Sequence, residues 1–190
     1  METMRKSAPT VAPWWLGYLF LLPLRRLWDG AARLTAGRLA AGDTVLELGP
    51  AMGFHTLDLA RMVGPTGRVI ACDVQEKMLA VLRDRLKAGD LASRVECRLA
   101  GTDDPAIDDL RGEVDFALLY HVIHETGDPA RFLGKVARSL RPGGLALLCE
   151  PKGHVTAEFF ARELSMAQEA GLRVVERPSI RFNRAVWLAR

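Results

Sequence analysis

A chain of 190 residues with 49% apolar and 26% charged side chains has the size of one domain, one that buries roughly 70% of its unfolded surface, and the composition is neither disordered nor collagen-like. The formal net charge of +3 is unevenly spread: residues 1–40 carry six Lys/Arg against two acids, residues 173–190 carry five Arg against one Glu, and the middle is acidic. Cys72, Cys97 and Cys149 are scattered and form no C-x-x-C pair, so they suggest neither a zinc site nor a disulfide framework but reduced, packed thiols in a cytoplasmic protein.

The first apolar stretch, VAPWWLGYLFLLPL (Val11 to Leu24), follows Arg5 and Lys6 as it would in a signal peptide. Its core is too short to span a bilayer, Pro13 and Pro23 bracket it, and no A-x-A cleavage site follows promptly. Residues 1–40 therefore read as an N-terminal tail with an apolar helix, packed over the domain or touching a membrane surface or an apolar substrate. Residues 41–190 then alternate strand and helix with little linker. TVLEL (44–48) is a buried strand, a helix runs from about Gly53 to Val63, and GRVIACD (67–73) is the second strand. QEKMLAVLRDRLKAG (75–89) is a helix with Met78, Val81, Leu82 and Leu86 on one face and Gly89 as its stop. RVECRL (94–99) and VDFALLY (114–120) are strands. A helix from about Pro129 to Leu140 ends at RPGG (141–144), and LALLCE (145–150) is the fifth strand.

Strands separated by helices imply right-handed βαβ crossovers and a parallel sheet covered on both faces, a Rossmann-like doubly wound α/β domain. The rhythm breaks after a helix at about 156–170. LRVVERPSI (172–180) and NRAVWLAR (183–190) are too close for a crossover and predict a C-terminal antiparallel β-hairpin, which brings the sheet to seven strands.

In such a sheet ligands sit beyond the carboxyl ends of the strands, and the loop VLELGPAMGFHT (45–56) occupies the first of these positions. Gly49 permits a tight turn, small Ala51 lets a ligand approach the backbone, and Gly53 opens the following helix. A dinucleotide loop would need glycines where Ala51 and Phe54 stand, and no Gly-Lys-Ser/Thr follows for a phosphate loop. Asp73, ending the second strand, is placed to accept hydrogen bonds from vicinal ribose hydroxyls.

VLELGPAMG, VIACDVQEKML, VDFALLYHVIHE and LRPGGLALLCEP together resemble successive motifs of class I S-adenosylmethionine-dependent methyltransferases of the small-molecule type, similar to quinone-biosynthesis methylases. The resemblance covers about residues 40–190 and implies S-adenosyl-L-methionine as cofactor. It implies further that Glu47, Gly49 and Gly53 surround the methionine end, Asp73 holds the ribose, and Val74 or Gln75 flanks the adenine. Thr102 and Asp103 stand where a polar side chain meets the adenine amino group, and Tyr120 and His121 border the methionine moiety. Ala51 departs from the family's usual glycine.

Methyl transfer from a sulfonium is an in-line displacement that needs alignment and exclusion of water, with a base only where the acceptor loses a proton. HVIHE (121–125) and EPKGH (150–154) follow strands four and five, and His124 and His154 are the candidate bases. The H-x-x-H-E pattern fits no metalloprotease motif, so no metal site is expected. The Asn/Asp-Pro-Pro-aromatic tetrad of nucleobase amine methylases is absent, which leaves a small-molecule or lipid-like acceptor. The resemblance further implies that residues 1–40 form an N-terminal tail and helical lid, with Trp14, Trp15, Tyr18 and Phe20 over the pocket and Arg25 and Arg26 at its rim, which would suit an anionic group on the acceptor. No nucleic acid partner is expected, and peripheral membrane contact is compatible with the N-terminal stretch. A noncatalytic S-adenosylmethionine-binding protein and a nicotinamide-dependent oxidoreductase are the competing readings.

Overall fold

The computed structural model describes residues 13–21 and 29–190. Its seven strands are β1 (Thr44–Leu48), β2 (Arg68–Asp73), β3 (Val95–Leu99), β4 (Val114–Tyr120), β5 (Leu140–Pro151), β6 (Arg173–Glu176) and β7 (Asn183–Ala189). They form one sheet in the order β3-β2-β1-β4-β5-β7-β6. The first five are mutually parallel, and β7 runs antiparallel to both neighbours, β5 and β6. The chain winds outward from β1 in one direction and from β4 in the other, so the loops after these two strands part and open a crevice at their carboxyl ends.

Alternation along the strands sorts the core into two layers. Leu46, Leu48, Ile70, Leu119, Leu148 and Val186 face helices α5 (Pro129–Ser139) and α6 (Ala157–Glu169). Val45, Val69, Phe116, Leu118, Leu147 and Trp187 face α2 (Ala31–Thr35), α3 (Thr56–Met62) and α4 (Glu76–Ala88). A short α1 (Gly17–Phe20), continuing a 3-10 turn at Trp14–Leu16, precedes them. Caps set the helix starts on the second half of the sheet: Asp128 accepts from the Arg131 N–H with Pro129 in the first turn, and Thr156 accepts from the Phe159 N–H.

Three expectations shift. Helix α3 begins at Thr56 rather than Gly53, because residues 51–55 form turns first. On α4, Leu79 rather than Val81 completes the buried face with Met78, Leu82 and Leu86. The RPGG segment belongs to β5, whose pairing jumps from Val114–Leu140 to Phe116–Leu145; the left-handed Gly143 (φ 78°) takes up the slack inside a bulge rather than in a free turn.

Gly53 is fixed by packing. Its φ is 82°, and a Cβ there would lie 2.3 Å from Leu82 Cδ1 and 3.0 Å from Leu57 Cδ1, so α4 closes onto the loop only over a bare backbone. We expect Gly53→Ala to cost about 2–4 kcal/mol from left-handed strain plus overpacking, read by urea unfolding. In the Leu82→Ala background the same substitution should cost less, and strictly additive losses would place the clash elsewhere.

Candidate functional site

A cavity of about 850 Å3 occupies the crevice at the carboxyl ends of β1, β2 and β4. The β1 loop forms its floor. Gly49, Ala51 and Gly53 all have positive φ (71°, 50° and 82°), so the chain turns through three left-handed residues in five. Asp73, only 7% exposed, closes this loop: its Oδ2 accepts from the Ala51 N–H at 3.0 Å and its Oδ1 from the Gln75 N–H at 2.8 Å. Burial raises the Asp73 pKa, and the hydrogen bonds from Gln75, Ala51 and Val74 oppose that rise. These three donors leave only part of the carboxylate's acceptor capacity open. Val74, Gln75, Met78, Ala100 and Thr102 continue the wall as a slot that is mostly apolar.

The opposite wall comes from the ends of β4 and β5, braced by β7. His121 takes a left-handed conformation (φ 59°) as the chain leaves β4; its N–H donates to Cys149 O at 2.8 Å, and its ring stacks on Tyr120 with centroids 4.1 Å apart. His121 Nε2 meets Asn183 Oδ1 at 2.6 Å, and Asn183 Nδ2 donates to the Tyr120 hydroxyl at 3.3 Å. His55 packs edge-on against Tyr120 and bonds through Nε2 to the Asp29 carbonyl at 2.9 Å, tying the segment before α2 to the cavity.

The reactive groups gather beyond β4 and β5. His124 Nδ1 lies 2.5 Å from Glu150 Oε2, and Glu150 Oε1 accepts from the Ile123 N–H at 2.9 Å. Glu150 is fully buried, so the bond fixes the imidazole and leaves Nε2 without a protein partner among the described residues. Burial pulls the His124 pKa down, but the hydrogen bond and charge of Glu150, with Glu125 nearby, outweigh it and leave the pKa raised. The His154 ring lies nearly parallel to that of His124, centroids 6.4 Å apart, and both line the cavity. Cys72 also lines it, but burial pushes its thiol up to about 12, so it is not a nucleophile.

Of the residues singled out from the sequence, Gly49, Ala51, Asp73, Val74, Thr102, Tyr120, His121, His124 and His154 meet at this cavity. Three do not. Glu47 is buried behind the β1 loop beside Thr56, with Oε2 lacking a hydrogen-bond partner among the described residues. Gly53 lies under α4, and Asp103 turns away to accept from the N–H groups of Gly127 (2.6 Å) and Asp128 (2.9 Å), bracing the loop after β4. The N-terminal segment reaches the cavity through Pro13, Gly17 and Leu21, and Gly17 packs on Met52; Trp14, Trp15 and Tyr18 point outward at 38%, 56% and 54% exposure. The side chain of Phe20, together with Arg25 and Arg26, lies outside the described residues. His121 and His124 do not converge as a ligand pair, since Asn183 and Glu150 engage them separately. Glu150 pairs with His124. Asn183 carried no signal in the sequence, because only the antiparallel insertion of β7 beside β5 brings it to Tyr120.

A family model described as a methyltransferase domain matches residues 46–148. The ubiquinone/menaquinone biosynthesis C-methyltransferase of Pseudomonas fluorescens is 31% identical over 127 residues, 67% of this chain and 48% of that protein. The chain spans about half or less of the length of the curated relatives it matches. In fold it is similar to a SAM-dependent methyltransferase from Aquifex aeolicus (TM-score 0.82, 23% identity, 94% of this chain and 99% of that one). It is also similar to Aeropyrum pernix fibrillarin, solved with natively bound S-adenosyl-L-methionine (TM-score 0.64, 20% identity, 84% of this chain and 74% of that one).

The buried acids around the site make a pH prediction. Burial pushes Glu47 up to about 8, and burial with the charge of Glu150 pushes Glu163 up to about 9, against an ordinary value of 4.5. The unfolded chain therefore releases protons that the folded chain keeps, and stability falls as pH rises from about 5 through 8 to 9, at most ~1.4 kcal/mol per unit for each group. His124, also raised, has the same sign, its contribution being lost as pH climbs through its folded pKa. Thermal unfolding across this range should show the decline, and Glu163→Gln should flatten it while changing little at pH 5; an unaltered slope in the variant would mean that Glu163 ionises normally.

Proposed function

This chain belongs to the methyltransferase-domain family, of the class I S-adenosylmethionine-dependent type, and from that membership we propose that it methylates a small or lipid-like acceptor seated in the cavity just described. The observation that carries this reading is the placement of the Asp73 carboxylate and the His124–Glu150 pair on one enclosed space.

The residues present suit the cofactor. Asp73 keeps acceptor capacity for a ribose hydroxyl, Val74 and Met78 offer an apolar slot for a flat base, and the left-handed β1 loop brings backbone rather than side chains to the floor. Among the described residues the wall holds Asp73 and Glu125 as its acids and no Lys or Arg, a balance that favours a positively charged sulfonium. When bound, S-adenosylmethionine supplies an electrophilic methyl group on that sulfonium. The enzyme's part is to align the acceptor and keep water out, for which Pro13, Gly17 and Leu21 close one side and Tyr120 and Val122 the other.

For an acceptor that must lose a proton, His124 takes it at Nε2. Glu150 holds the opposite nitrogen in its protonated form and stabilises the imidazolium that results. His154 serves this base by packing beside it. The same wall favours an acceptor that is neutral at its reacting end, and any anionic group on it would have to be met by residues such as Arg25 and Arg26.

Isothermal titration with S-adenosylhomocysteine tests the cofactor assignment: Asp73→Ala should weaken binding by about 1–3 kcal/mol, the scale of charge-assisted hydrogen bonds. The product should also raise the melting temperature of the wild-type protein where NAD does not. Incubation with labelled cofactor and a cell extract, followed by mass spectrometry, identifies the acceptor. With it in hand, His124→Gln should lower kcat by about 10²–10⁴ and leave S-adenosylhomocysteine affinity intact; full turnover in this variant would remove His124 from the mechanism.

A further inference from the structure

Large apolar side chains left in water are unevenly placed on this molecule. Seven are exposed among the described residues, and only Val175 lies within a strand away from the cavity end of the sheet. Trp14, Trp15 and Tyr18 sit on the segment whose Pro13, Gly17 and Leu21 line the cavity. Leu99 is the last residue of β3, and Phe159 is in the first turn of α6, which follows the carboxyl end of β5. Phe182, 65% exposed in a left-handed conformation (φ 62°), stands immediately before β7, and its carbonyl accepts from the Lys152 N–H beside the lining residues Pro151 and His154. One face, the one with the cavity mouth, thus carries the exposed apolar surface.

Cations accompany these aromatics. Lys77 Nζ lies 5.4 Å from the Trp14 ring centroid, and the Arg181 guanidinium lies 4.6 Å from that of Phe182. The β6–β7 connection, residues 177–182, carries Arg177 and Arg181 and no acid, and exposed Lys152 adjoins it. The basic stretch 173–190 therefore supplies part of this face through Arg177 and Arg181. Separate aromatic tips set around an opening, two of them (Trp14 and Phe182) beside a cation, match a headgroup layer better than a single groove for a peptide: tryptophan and tyrosine settle at the headgroup level, and basic side chains are drawn to anionic lipid. No described helix is long and apolar enough to cross a membrane, so the contact is a surface one.

We propose that this face docks on an anionic phospholipid surface, with Trp14, Trp15, Tyr18 and Phe182 entering the headgroup layer and the cavity mouth turned toward the bilayer. The docking needs only the rim and not the chemistry of the cavity. Its consequence is that an apolar acceptor reaches the site from the lipid without crossing water.

The full chain is sedimented with vesicles of phosphatidylcholine alone and with about 30 mol% phosphatidylglycerol. Binding to the anionic vesicles should be stronger by about tenfold or more and should weaken in ~0.5 M salt, as screened charge pairs do. Tryptophan emission should shift to the blue and be quenched by brominated lipid. The combined variant W14S/W15S/Y18S should bind about tenfold more weakly while keeping its thermal shift with S-adenosylhomocysteine; R181E/F182S, on the other side of the mouth, is the second variant should the first not fold. Absence of vesicle binding, equal binding to neutral vesicles, or binding unchanged in a folded variant overturns the proposal. So does a dimer in lipid-free sedimentation velocity that the same variants abolish in place of vesicle binding. Failure of the methyltransferase reading would look different: vesicle binding would persist in a protein with no affinity for S-adenosylhomocysteine.

Discussion

Everything at the carboxyl end of the sheet depends on how the chain leaves β1. The loop must turn sharply enough to send α3 back across the sheet while keeping its own backbone low, and it does so through left-handed residues at 49, 51 and 53. Glycine takes such a conformation freely, but at Ala51 it costs on the order of 1–2 kcal/mol. The Asp73 carboxylate offsets that strain by accepting the Ala51 N–H, and Leu82 presses on Gly53 from the other side. The group best placed to hold a ligand is therefore also the one that holds the loop, so ligand affinity and loop geometry are coupled through a single side chain.

The far end of the cavity is organised by an unequal pair of buried acids. Glu150 has its oxygens engaged by His124 and the Ile123 N–H, whereas both oxygens of Glu163 on α6 lack partners among the described residues. Two ionised carboxylates together behind the histidine would repel strongly in a medium of low polarity. A neutral Glu163 leaves one negative charge facing His124, enough to orient the imidazole and to stabilise the imidazolium once a proton is taken, without a surplus. Asn183 performs a similar task for His121, so each histidine of the HVIHE stretch is held by a residue from a different strand.

Much of this architecture was legible in the chain. Strand and helix alternation marked the five parallel strands, four of which (β1, β2, β4 and β5) are buried on both faces, and the short spacing around residues 177–182 announced the antiparallel pair. Asp73 was readable from its position at the end of β2. What could not be read depended on approach in space. The Asp103 carboxylate is engaged by the loop after β4, and Glu47 is buried outside the cavity lining, placements that the sequence pattern does not carry. Trp14, Trp15 and Tyr18 suggest a lid by composition, yet it is the small Gly17 between them that packs on Met52 and turns the rings outward. The pairing of His124 with Glu150 joins residues 26 positions apart, a distance over which sequence pattern carries no directional information.

The position of β7 gives the molecule an order of assembly. It is the last of the seven strands along the chain but not an edge of the sheet, since it fits between β5 and β6 and its Trp187 is buried against Phe116. Until residues 183–189 dock, β5 presents an open hydrogen-bonding edge of apolar residues, the kind of surface on which chains associate wrongly or chaperones act. The docking that closes that edge also delivers Asn183 to Tyr120 and His121. Completion of the sheet and completion of the cavity are thus one event, and a chain arrested before it would carry neither a protected edge nor a finished site.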